Sequence, residues 1–84
     1  MADHLNTFHL VIASVAQTYF DGAAVSVRLP SAAGEITVLA SHEPYVTTLE
    51  QGTARVRTVD GQVHDIAIES GVLEVTGERA VVLL

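Results

Sequence analysis

Hydrophobic and polar residues alternate in short runs along this chain, and turn-forming residues separate the runs. In FHLVIA, Phe8, Leu10 and Ile12 share one face of an extended segment while His9, Val11 and Ala13 share the other. A second run, Gln17 to Phe20, is expected to end at Asp21-Gly22. The next, Ala24 to Leu29, points Val25, Val27 and Leu29 inward and Ser26 and Arg28 outward. It is expected to stop at Pro30, which has no N–H to give a ladder. Two β-rich runs flank Asp60-Gly61 in RVRTVDGQVHDIAI, which predicts a hairpin with a type I′ turn and φ > 0 at both central residues. Val56 there faces a core, with Arg55 and Arg57 on the solvated side. Ser70-Gly71 interrupts before VLEV, and Gly77-Glu78 turns into RAVVLL. No segment sustains a helical period over about ten residues. Short alternating strands at this spacing predict an all-β sandwich or barrel.

Composition narrows the picture. The 84 residues form a single domain, 1–84, whose small size leaves a thin margin of stability. There is no cysteine, so neither disulfides nor thiolate-bound metal can reinforce it, and the 49% hydrophobic content must supply the core. Ten acids face four arginines, with no lysine, for a net charge of −6. A phosphate-binding surface needs clustered cations, and along the sequence Arg28, Arg55, Arg57 and Arg79 are scattered among acids, so no nucleic-acid partner is expected. No apolar run approaches about 18 residues, so direct membrane insertion is not expected either. The N-terminus lacks the basic region of a signal peptide, which with the missing cysteines points to the cytoplasm.

The histidines are the obvious candidates for chemistry. His4 and His9 fall on opposite faces of an extended segment, and His64, just past the hairpin turn, is expected to face solvent. No His-x-His or His-Glu-x-x-His spacing is present, so a metal set would have to be assembled from distant strands. Ser41-His42-Glu43 contains the residue types of a nucleophilic triad, but neighbours along an extended chain do not face one another. Neither an active site nor a cofactor is expected. Gly71 lies between two strand-like runs, which implies either a bulge or a closely approaching backbone. That backbone belongs either to a partner or to a neighbouring strand. Gly22, Gly52, Gly61 and Gly77 read as ordinary turn residues.

Five pieces, in order, resemble the N-terminal β-sandwich domain of the F-type ATP synthase epsilon subunit. They are FHLVIAS, YFDGAAVSVRLP, GEITVLASHEP, LEQGTARVR and SGVLEVTGERAVVLL, together nearly the whole chain from Phe8 onward. The spacing of Gly34-Glu35, His42 and Pro44 is the most specific of these. The resemblance implies a ten-stranded, predominantly antiparallel sandwich of two sheets. It also implies a non-catalytic rotor joint, linking the gamma subunit to the ring of c subunits in a proton- or sodium-translocating synthase. The subunit would lie peripherally on the cytoplasmic face of the inner membrane. In the family, the loop carrying the Gly-Glu and His motifs lies against the c ring, which nominates Glu35, His42 and Glu43 as contacts. Ser70 and Gly71 are further partner-facing candidates.

Two positions depart from the family pattern: Thr37 and Ser70 stand where glycine is usual. Both add bulk where backbone could approach, which bears on docking rather than on fold. Family members commonly continue into a helical hairpin that restrains hydrolysis, and a chain ending at Leu84 is expected to lack it. Two other readings compete. One is a free-standing β-sandwich interaction module that has left the synthase. The other is a small metal-dependent enzyme of the cupin kind, using His42 and Glu43 with a distant histidine.

Overall fold

The structure, a computed structural model, describes residues 6–84, so His4 lies outside the described residues. Among them the chain forms nine strands and no helix: β1 (Phe8–Ala13), β2 (Thr18–Ala24), β3 (Ser26–Ser31), β4 (Gly34–Leu39), β5 (Tyr45–Leu49), β6 (Gly52–Arg57), β7 (Val63–Ile68), β8 (Gly71–Thr76) and β9 (Arg79–Leu83). The all-β class is as expected, with nine strands where the resemblance implied ten.

Hydrogen bonding runs through the strands in the order β2-β1-β9-β8-β5-β3-β6-β7, and β4 pairs with the outer side of β3. Strand β3 is the hinge between two layers. Its first residues, Ser26 to Arg28, pair with β6, while Ser31 at its end pairs with β5. Pro30 sits at this change of partner. Its carbonyl accepts from the Glu50 N–H at 2.9 Å, and no ladder there asks for the N–H that proline lacks. The strand therefore runs one residue beyond the expected stop. All pairings are antiparallel except β1 with β9. The far edges meet where the Phe20 ring of β2 sits edge-on to the His64 ring of β7, 5.4 Å away. His64 is thus half-buried against Phe20, not turned to solvent.

The inner faces of both layers make one core. Leu10, Ile12, Val27, Leu29, Val56, Leu73 and Val82 are fully enclosed, and Phe8, Leu49, Ile68 and Val75 nearly so. Burying each large aliphatic side chain contributes about 1.5–3 kcal/mol, and this core is the main cohesive term in a chain without disulfides. The alternation in β1 is borne out, with Phe8, Leu10 and Ile12 inside and His9 outside.

Three local expectations give way to the ladder. Strand β2 does not end at Asp21-Gly22 but continues to Ala24, because Gly22 stays extended and pairs with Leu10. Val25 is consequently the single linking residue before β3, its N–H bonded to the Arg57 carbonyl at 2.8 Å, and not an inward strand position. The 55–68 hairpin forms where expected, but only Gly61 has positive φ, 86°. The Gly61 N–H reaches the Thr58 carbonyl and the Thr58 N–H reaches Gln62, which makes a three-residue loop ending in a left-handed glycine rather than a type I′ turn. Asp60 fastens this loop by accepting from the Thr58 hydroxyl, which holds its carboxyl below the usual range.

Candidate functional site

Because neighbouring strands are mostly antiparallel, the loops fall at two ends of the sandwich. One end holds residues 14–17, 32–33, 50–51 and 69–70, and the other holds 40–44, 58–62 and 77–78. The candidates divide between them. Glu35 pairs with Pro30 at the start of β4, near the first end, where Ser70 and Gly71 also lie. His42 and Glu43 follow the last residue of β4, at the second end. Four strand steps from Glu35 to Leu39 span about 13 Å, so the Gly-Glu and His motifs do not share one loop as the resemblance implied. They are strung instead along β4, whose outer edge pairs with no other strand among the described residues. Glu35, Thr37, Leu39 and Glu43 are exposed along that line, and His42 is half-buried.

The loop after β4 is held by its own backbone. The His42 N–H bonds the Leu39 carbonyl at 3.2 Å, which closes a turn with Ser41 in left-handed conformation at φ 67°. Glycine is usual at such a position, and a residue with a Cβ is strained there by about 1 kcal/mol. His42 Nδ1 donates to the Glu43 carbonyl at 2.9 Å, so in the neutral ring Nε2 is the acceptor. Its ring leans on Tyr45 at 6.0 Å, and Pro44 fixes the backbone between them. His42 Nδ1 is thus engaged by the Glu43 carbonyl and not by Ser41. Among the described residues, no three His, Asp or Glu side chains converge as a metal set.

Glu35 is exposed, and its Oε2 lies 3.5 Å from Arg28 Nε, a loose contact that leaves it available to a partner. At Gly71 the choice between close approaches is resolved. A Cβ there would lie 2.5 Å from the Leu83 carbonyl oxygen, so the glycine admits the chain's own β9. Gly52 has the same purpose: a Cβ would meet the Pro30 ring at 2.9 Å. It is a packing position and not plain turn chemistry.

The arginines are what the sequence order concealed. In register across the sheet, one row reads Thr37, Arg28, Arg55, Asp65 and the next reads Leu39, Ser26, Arg57, Val63. Three of the four arginines thus meet on the outer face of β3 and β6. Arg55 Nε and Nη2 donate to the two Asp65 carboxylate oxygens at 2.9 and 3.1 Å. That fork holds the Asp65 carboxyl below its ordinary range and raises Arg55 further.

A family sequence model described as the ATP synthase delta/epsilon chain β-sandwich domain matches residues 7–84. The chain belongs to this family. Among similar members of the delta/epsilon family, the ATP synthase epsilon chain of Delftia acidovorans is 32% identical over 79 residues, covering 94% of this chain and 57% of its own. That of Thioalkalivibrio sulfidiphilus is 37% identical over 78 residues, covering 92% and 55%. The chain therefore spans just over half the length of these curated relatives. The delta/epsilon sandwich is also similar in fold to a chain of the Euglena gracilis mitochondrial ATP synthase OSCP/F1/c-ring assembly. That match has a TM-score of 0.85 at 20% identity and covers 92% of this chain and 49% of the other. A chain of the Tetrahymena thermophila central stalk and c ring superposes with a TM-score of 0.74 at 13% identity, covering 89% and 60%.

Proposed function

We propose that this domain is the sandwich portion of an F-type ATP synthase epsilon subunit, a non-catalytic joint between the gamma subunit and the c ring. The family match over residues 7–84 carries the reading. The enclosed two-layer core supports it, because a joint that transmits torque needs a body that does not shear. The c-ring contact runs along the outer edge of β4, from Glu35 to His42 and Glu43, and Ser70 beside Gly71 is a second partner-facing point. Charged groups on such an edge fix orientation more than they add affinity, and a net charge of −6 suits a basic ring-loop surface. In a bacterium the subunit sits peripherally on the cytoplasmic face of the inner membrane, carried there by its partners.

Pull-down and titration against the cognate gamma subunit and c ring test this. Binding at micromolar concentration or tighter is expected, with E35R weakening the c-ring interaction by at least about tenfold and E35Q by less. A chain that ignores both partners, or E35R binding as well as the parent, would sink the proposal.

A further inference from the structure

The outer face of β3 and β6 carries a feature that a rotor joint does not require. Arg28 and Arg55 are directly paired across the two strands, and Arg57 is paired with Ser26 one step away. Like charges set directly opposite one another in a sheet are unfavourable. This chain has only four cations, yet it spends three of them on one spot. Two carboxylates offset part of the repulsion. Asp65 binds Arg55 through two hydrogen bonds, and Glu35 stands 3.5 Å from Arg28. Arg57 forms no ion pair among the described residues. The local balance is three cations against two anions, one charge short of neutral.

The same residues line a shallow hollow open to solvent. Ser26, Arg28, Thr37, Arg55 and Arg57 line a polar cavity of about 130 Å³. That is room for roughly four waters, enough for a tetrahedral oxyanion and too little for a nucleoside. Ser26 and Thr37, whose hydroxyls can donate hydrogen bonds, line it beside the three arginines. The Asp65 fork holds the Arg55 guanidinium in one orientation and leaves Nη1 outside the pair.

We infer that Arg28, Arg55 and Arg57, with the Ser26 and Thr37 hydroxyls, form a binding site for a phosphate group. Free phosphate and the headgroup of a phosphate-monoester lipid present the same chemistry. The site adjoins the β4 edge contact, since Thr37 lines it and Glu35 lies beside Arg28, but its three cations stand on β3 and β6.

Potassium phosphate is titrated into the purified chain at constant ionic strength, with chloride as the balancing salt. Binding is read from the arginine Nε–Hε resonances and by calorimetry. Saturable binding near ~1 mM is expected, with shifts confined to Arg28, Arg55 and Arg57, and sulfate behaving alike. R28Q/R57Q, whose fold is checked by circular dichroism, weakens it by at least about tenfold, while R79Q leaves it unchanged. Co-sedimentation of the parent, but not of R28Q/R57Q, with phosphatidic acid vesicles assigns the phosphate to a lipid. Phosphate binding without co-sedimentation assigns it to a soluble molecule. No saturable phosphate binding, an equal response to acetate, or undiminished binding by R28Q/R57Q overturns the inference. So does binding of a polyglutamate peptide through these arginines in place of phosphate.

Discussion

Replacing Gly71 with alanine adds one methyl group where the structure has no space for it. The new Cβ would lie 2.5 Å from the Leu83 carbonyl oxygen and 3.0 Å from Leu84 Cδ2. The first of these is backbone, in a strand paired to β8 through Val72 and Leu83, so relief requires the end of β9 to move. Overpacking of this kind costs about 1–3 kcal/mol. Gly71 does not have positive φ, so alanine also recovers about 0.4–1 kcal/mol by restricting the unfolded chain. The midpoints of these ranges leave a net loss of about 1.3 kcal/mol, or roughly 5–10 °C in Tm for a domain of this size. Gly22 is the matched control. It too lies in a strand without positive φ, but a Cβ there meets only the Phe20 ring, at 3.9 and 4.0 Å. The same substitution at Gly22 is therefore expected to be neutral or to stabilise slightly. Urea unfolding followed by circular dichroism should show a lower midpoint for G71A, with the slope unchanged, and none for G22A. If G71A matched the parent within about 2 °C, or if both variants fell together, the close approach of β9 would not be the reason for the glycine.

Asp65 releases its proton more readily in the folded chain than when unfolded, so its stabilisation is complete above about pH 3.9 and is lost as pH falls through the lower folded value. D65N should therefore lower Tm at neutral pH, with the gap to the parent closing below about pH 4; a constant gap down to pH 2 would contradict the Arg55 pairing. At Ser41, S41G should change stability by no more than about 0.5 kcal/mol, since relief of strain and added chain entropy oppose each other, whereas S41V should cost about 1 kcal/mol or more in thermal unfolding. L73A removes a fully buried side chain and should cost about 2–5 kcal/mol by urea titration, enough to threaten folding.

The core was readable because a period of two leaves a plain trace. Phe8, Leu10 and Ile12 announce their face without help from the rest of the chain. Turn residues were a poorer guide. Asp21-Gly22 carries the chemistry of a turn, yet β1 supplies a ladder alongside it and the strand runs on. At Asp60-Gly61 the position was right, but the loop is a residue longer and needs only one left-handed glycine. The arginine cluster left no trace in sequence order, since Arg28 meets Arg55 only through the register of β3 on β6. Likewise, nothing in GEITVLASHEP says that its glutamate and histidine stand at opposite ends of the sandwich until β4 is seen as a straight edge strand.

The parallel pairing of β1 with β9 governs how the domain can be made. Strand β9 lies between β1 and β8, so among the described residues the β1–β2 hairpin reaches the rest of the sheet by strand pairing only through residues 79–83. On the ribosome, the first hairpin has no further strand to pair with until residues 79–83 have emerged, and an isolated hairpin is marginal in water. Assembly then closes the loop from Leu10 to Ala80, which places the domain among slow, non-local folders. Loss of even a few residues from β9 would not merely fray one edge; it would cut the sheet in two.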